Sequence, residues 1–239
     1  MKNNLFIKQK NMQKQHLKLP KLIIYDWDNT LADTSDVITK VVNRLRIDCG
    51  HKELLSSTEI LSSTGDPDCD WVIDLFGRYS DENAQKYIDY YNEENAGFEA
   101  KLLLGAMDLI KKAEDLNIKQ GVLTNKESIV AHAECAELGI RDYFLEFLGR
   151  CDVNEKKPKP EGIIRIVESY EKHFNKKLEK DEIWFIGDTM IDIMCAGNYN
   201  CPALFVGLPS WIKPKYEQYI YFIGNLHNIL DLLDNLKNN

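Results

Sequence analysis

Three short apolar runs in this chain of 239 residues stop abruptly at polar clusters, and they constrain the fold more than any other feature. Leu22-Ile23-Ile24-Tyr25 ends at Asp26. Gly121-Val122-Leu123 ends at Thr124-Asn125. Ile183-Trp184-Phe185-Ile186 ends at Gly187-Asp188. Uninterrupted runs rich in β-branched and aromatic residues suit strands buried on both faces, which is the situation in a parallel sheet. Ala203-Leu204-Phe205-Val206 reads as a fourth strand and Tyr219 to Ile223 as a candidate fifth. Helical patterns alternate with these runs. Ala106 to Leu116 sets Leu109, Ile110, Ala113 and Leu116 on one face, and Ser128 to Leu138 ends before the stop signal Gly139. Pro160 fits the first turn of a helix carrying Ile163, Ile164 and Val167. The alternation predicts an α/β fold, a doubly wound, Rossmann-like parallel sheet. Such sheets bind ligands beyond the carboxyl ends of their strands, where all three polar clusters fall.

The interval from Thr34 to Glu99 breaks the alternation and reads as wholly helical. Val37, Ile38, Val41, Val42 and Leu45 form one stripe, Trp71, Val72, Leu75 and Phe76 another, and Tyr87, Ile88, Tyr90 and Tyr91 fall on a third segment. Its place directly after the first strand predicts an all-helical cap domain over residues 34–99. The α/β core then comprises residues 21–33 and 100–239, behind a flexible basic tail at 1–20.

Charge and cysteine usage exclude several classes. The formal net charge is −8, so no basic excess points to nucleic acid or to an anionic membrane. No apolar run approaches a membrane span. Cysteines 49, 69, 135, 151, 195 and 201 form no CxxC pair, which argues against zinc-ribbon and thioredoxin-type sites and suits reduced thiols in a cytoplasmic protein.

Four clusters carry candidate chemistry. In Asp26-Trp27-Asp28-Asn29-Thr30, a turn after the strand can bring two carboxylates into one site; the plain alternative is a polar turn bonding its own backbone. Thr124-Asn125 can donate hydrogen bonds to a phosphoryl oxygen, or can simply open a helix. Lys156-Lys157-Pro158-Lys159-Pro160 is either a solvated run or a stiffened loop holding one ammonium in place. In Gly187-Asp188-Thr189-Met190-Ile191-Asp192, a helix beginning at Thr189 or Met190 lets Asp188 and Asp192 border one metal site; the alternative is a helix cap and a surface carboxylate. Gathering Asp26, Asp28, Asp188 and Asp192 is costly, since two like charges about 4 Å apart repel by roughly 4 kcal/mol at an effective dielectric near 20. One lysine and one divalent cation nearly offset them, and oxygen-only donors favour Mg2+ over zinc.

With DWDNT, TN, KPKP and GDTMID in this order, and a helical insert after the first, the chain resembles the haloacid dehalogenase-like (HAD) hydrolases over about residues 21 to 225. The resemblance implies a nucleophilic Asp26 that forms an aspartyl-phosphate. Asp28 would be the general acid/base, its backbone carbonyl also binding Mg2+. Thr124 and Asn125 would hold the phosphoryl group, with Thr30 and Gly65 as further substrate-binding residues. Lys157 would neutralise charge, with Lys156 and Lys159 as fallbacks. Asp188 would bind Mg2+ directly, and Asp192 would do so through water or orient the lysine. Asp28 accompanies phosphatases and phosphomutases in this family rather than dehalogenases. The pattern looks most like the phosphoglycolate phosphatase group, whose substrate is a small phosphorylated metabolite. Arg44 and Arg78 are candidates to read a substrate carboxylate, or are surface charges. Thr64-Gly65-Asp66 is a candidate cap loop, and Leu104-Gly105 departs from the family's commoner Pro-Gly. A β-phosphoglucomutase-type sugar phosphomutase is the enzymatic alternative. A phosphate-accepting receiver module is the alternative from another class.

Overall fold

A computed structural model describes residues 17–66, 68, 75–77, 80–95 and 100–238, the side chains at 84 and 95 excepted. Met12, Cys69, Trp71, Val72, Arg78 and the lysines at 2, 8, 10 and 14 lie outside the described residues.

The five expected strands form together with a sixth, Glu146–Leu148, that was not expected, all parallel and in one sheet. They are β1 (Leu22–Tyr25), β2 (Lys119–Leu123), β3 (Glu146–Leu148), β4 (Ile183–Gly187), β5 (Ala203–Phe205) and β6 (Ile220–Ile223), in the order β3-β2-β1-β4-β5-β6. The order reverses direction at β1, the type of position at which doubly wound sheets place a ligand crevice. β1 is central, pairing Tyr25 with Val122 on one side and Ile186 on the other.

Side-chain alternation along β1 builds both layers of the core. Ile23 and Tyr25 join a cluster with α4 (Ala106–Asp115), α5 (Ser128–Glu137) and α8 (Leu226–Lys237). Leu22 and Ile24 join the opposite cluster with α6 (Glu161–Phe174) and α7 (Met190–Tyr199). All four are fully buried. Each such side chain contributes roughly 1.5–3 kcal/mol on burial, so β1 is anchored and its carboxyl end is held still. Leu17 and Leu19, expected in the tail, already pack against the first cluster. Pro160 sits one residue earlier than expected, capping α6 rather than lying in its first turn.

Between β1 and α4 the described residues form α1 (Ser35–Asp48), α2 (Ser57–Thr64) and α3 (Asp81–Asn95). Their apolar faces, together with Leu75 and Phe76 from the chain between α2 and α3, make a third cluster containing Val37, Val41, Leu45, Ile60 and Tyr91. The chain leaves and re-enters the sheet layer side by side: Asp33 N–H donates to Lys101 O at 2.8 Å, and Leu103 N–H to Leu31 O at 2.8 Å. In addition, Lys213 pairs with Asp66 at 2.5 Å and Asp68 at 3.1 Å, and Lys215 also pairs with Asp68. These contacts help tie the helical segment to the core.

Candidate active site

Asp26 follows directly from β1, and its N–H still donates to Ile186 O at 2.8 Å, so its position is set by the sheet. The next residues turn sharply. The N–H groups of Leu31 and Ala32 donate to Trp27 O at 3.0 and 2.9 Å, and Asn29 adopts a left-handed φ of 55°, which asparagine tolerates better than most residues. Trp27 is fully buried and packs edge-on against Phe147.

Lys157 Nζ lies 2.5 Å from Asp26 Oδ1 and 2.6 Å from Asp192 Oδ1, with all three residues buried. Among the lysines of the KPKP segment, Lys156 and Lys159 are exposed, so burial decides between the candidates. The Asn125 amide fixes this loop at two points: Nδ2 donates to Lys157 O and Oδ1 accepts from Lys157 N–H, each at 3.0 Å. Asn125, expected to hold substrate, is therefore engaged with the lysine loop, leaving one Nδ2 hydrogen. Thr124 is buried, and its Oγ1 accepts the Lys126 N–H at 3.2 Å while keeping its own hydrogen.

The GDTMID segment departs from the reading of a capping aspartate followed by a surface carboxylate, because Asp192 is buried. Helix α7 starts at Met190 with Thr189, not Asp188, as N-cap. Asp192 Oδ2 accepts from Thr189 N–H at 3.0 Å and Thr189 Oγ1 at 2.6 Å, completing a capping box. Its other oxygen faces Lys157. Gly187 permits this closeness, since a Cβ there would lie 2.4 Å from the Asp192 Cβ.

Oxygens of Asp26, Asp188 and Asp192 all lie within 4.8 Å of one another. Burial pushes the Asp26 carboxyl up to about 7; Lys157 opposes the rise, and Asp192 and Asp28 add to it. Burial, Asp26 and Asp192 also drive Asp188 well above the carboxylate range. Desolvation works against charge on Lys157, but Asp192 and Asp26 outweigh it and raise its pKa. With all three carboxylates ionised, one ammonium leaves two negative charges in this buried site of oxygen donors. That donor chemistry fits one divalent, hard cation such as Mg2+.

Other expected residues stand differently. The Asp28 carboxylate is outside this cluster and meets Lys126 Nζ at 2.8 Å. The fully buried Thr30 hydroxyl faces Asp188 Oδ1 at 3.3 Å and Asp26 Oδ2 at 3.5 Å, and so is spent on carboxylates rather than left for substrate. Gly65 N–H donates to Leu61 O at 3.1 Å and is likewise spent. What Gly65 provides is close approach, because a Cβ there would lie 2.7 Å from Thr189 Cγ2. Arg44 is committed to Glu93 at 2.7 Å and stacks 3.7 Å above the Tyr90 ring, which is the surface-charge reading. Sequence reasoning missed Lys126, Glu134 and Tyr91, since nothing in the chain places helices α3 and α5 beside the Asp28 turn. It also missed a cavity of about 520 Å3 between α2 and the loop after β5, lined by residues including Leu61, Gly65, Thr189, Trp211 and Lys213.

The family model for haloacid dehalogenase-like hydrolases matches residues 23–206, most of the chain and every segment of this site. The chain belongs to the haloacid dehalogenase-like hydrolases. It is an enzyme of a hydrolase family, and its relatives are named as phosphatases. A pyrophosphatase PpaX of Oceanobacillus iheyensis is 24% identical over 89% of this chain and 96% of its own length. A phosphoglycolate phosphatase of Yersinia pseudotuberculosis is 25% identical over 76% of this chain and 78% of its own. In fold, the HAD chain is similar to CbbY of Rhodobacter sphaeroides, solved with phosphate, at a TM-score of 0.68 and 17% identity over 90% of this chain and 100% of that one. No helix among the described residues is long and apolar enough to cross a membrane.

Proposed function

We propose that this HAD hydrolase is a Mg2+-dependent phosphatase of a small phosphomonoester, with Asp26 as nucleophile and residues 34–99 as its cap. The observation that carries this reading is the buried Lys157 ammonium bridging Asp26 and Asp192 beside Asp188. An aspartate held at about 7 is a poor nucleophile near neutral pH, and Lys157 alone leaves the cluster two charges short of balance. Asp26, Asp188 and, through water, Asp192 would hold the metal, together with the Asp28 carbonyl. Mg2+, when bound, supplies the missing positive charge for the carboxylates and the phosphoryl oxygens.

Asp26 attacks phosphorus, and the bond from phosphorus to the leaving oxygen breaks. The leaving oxygen takes a proton from Asp28. Water then attacks the aspartyl-phosphate, Asp28 accepts a proton from it, and inorganic phosphate departs with Asp26 restored. Thr124 offers its hydroxyl to the phosphoryl group, and Lys157 stabilises the charge that develops there.

The substrate is of the phosphoglycolate class in size, but Arg44 does not support a carboxylate reader because Glu93 and Tyr90 hold it. Pyrophosphate belongs beside phosphoglycolate and sugar phosphates in a substrate panel, given the near end-to-end match to a pyrophosphatase. The test is turnover of that panel and of p-nitrophenyl phosphate by wild type and Asp26→Asn, with EDTA and then Mg2+. We expect Asp26→Asn to fold and lose turnover, EDTA to stop the wild type and Mg2+ to restore it. Full activity in the variant, or after thorough chelation, contradicts the reading.

A further inference from the structure

Beside Asp28 lies a buried polar knot that the reaction above leaves unused. Lys126 Nζ stands 2.8 Å from Asp28 Oδ1, 2.8 Å from Glu134 Oε1 and 2.5 Å from the Tyr91 hydroxyl. Lys126 donates hydrogen bonds to Asp28 and to the Tyr91 hydroxyl and is ion-paired with Glu134, so three protein oxygens surround its ammonium. The partners of this ammonium are thus protein groups, and the lysine serves to hold them. Its side chain is 6% exposed and that of Glu134 is 3% exposed. Glu134 Oε2 also accepts the Trp27 indole N–H at 2.7 Å. One carboxylate on α5 thereby fixes both the ring between Asp26 and Asp28 and the ammonium that grips Asp28.

Asp28 needs such a grip. Its side chain is 24% exposed, far more than that of Asp26 at 8%, and it lies on a turn next to the left-handed Asn29. Without a partner, its carboxyl could swing among rotamers. A general acid must lie within hydrogen-bond reach of the leaving oxygen.

We infer that Lys126, braced by Glu134, is a positioning residue that aims the Asp28 carboxyl at the leaving-group oxygen. Tyr91, from α3, closes the knot from the helical segment. The inference rests on the proposed role of Asp28 as general acid.

The leaving group provides the test. Misaiming a general acid harms a basic leaving group more than a stable one. Structural damage, or lost charge on the phosphoryl group, harms all substrates alike. For Lys126→Met, kcat/KM should fall at least about tenfold further for phenyl phosphate than for p-nitrophenyl phosphate, within the 10²–10⁴-fold scale of general acid catalysis. Because Lys126→Met strands a buried Glu134 charge, the double variant Lys126→Met/Glu134→Gln repeats the measurement with the local charge balanced. Lys126→Arg should fall between wild type and Met in leaving-group sensitivity. Equal losses on the two substrates, or no loss, overturn this inference while leaving the phosphatase intact. A wild type that hydrolyses neither substrate overturns the phosphatase reading, and this inference with it.

Discussion

At Asp26, burial lifts the carboxyl from an ordinary 3.8 to about 7 because the anion loses its water, and the Lys157 ammonium only partly offsets this. Between those values the folded chain binds more protons than the unfolded one. Stability contributed by this group is therefore present at low pH and falls as pH rises through the window to about 7. Asp188 shifts in the same direction. We expect the metal-free protein to melt at a lower temperature at pH 8 than at pH 6, and Mg2+ to raise Tm more at pH 8. Thermal melts with EDTA or Mg2+ at both pH values check this, and a larger gain at pH 6 contradicts it. Lys157→Ala removes the only ammonium that, among the described residues, meets these three carboxylates. Stranding buried charges in this way costs about 3–5 kcal/mol, and kcat should fall at least about 100-fold. Single-turnover kinetics alongside a melting curve separate the two effects. In the sequence, the family resemblance favoured Lys157 and kept Lys156 and Lys159 as fallbacks. Burial of one of them is a tertiary fact, and it makes the choice.

The elements act by fixing these side chains. Asn125, at the end of β2, clamps the Lys157 backbone through two bonds of 3.0 Å. Asn125→Ala leaves those backbone groups without their partner, at a cost of about 1–3 kcal/mol. We expect kcat to fall about tenfold or more with a smaller change in KM, read from steady-state kinetics. An unchanged kcat removes the clamp's role. The sequence offered an aspartate as the cap of α7; in the structure Thr189 is the N-cap, and Asp192 both closes its capping box and faces Lys157. Strand β3 was not legible. It has three residues at the sheet edge, beginning with Glu146, and so presents too short an apolar run to register. The polar endings of β1, β2 and β4 were legible because a doubly buried strand needs an unbroken apolar run and must become polar where it meets solvent.

Across the whole molecule, the helical segment meets the core through Gly65 against Thr189 and through Asp66 and Asp68 with Lys213 and Lys215. These ion pairs are partly exposed, and salt screens such pairs within a Debye length of about 8 Å at physiological ionic strength. The double variant Lys213→Ala/Lys215→Ala should raise KM about two- to tenfold with little change in kcat. Added salt should raise the wild-type KM and have less effect on the variant. Kinetics at two ionic strengths decide this, and equal salt dependence in both proteins removes the contact from substrate capture.

The sequence by itself determined five of the six strands of the sheet, the helical segment after β1 and the strand ends that carry the polar clusters. Those features follow from apolar periodicity, which is local. Only the tertiary structure decided which lysine enters the site and that Asn125 and Thr30 serve Lys157 and the carboxylates. Packing also turned Asp28 toward Lys126. These outcomes depend on residues tens to more than a hundred positions apart, such as Asp26 with Lys157 and Trp27 with Glu134. Burial and distance between such residues arise from packing and leave no periodic trace in the chain.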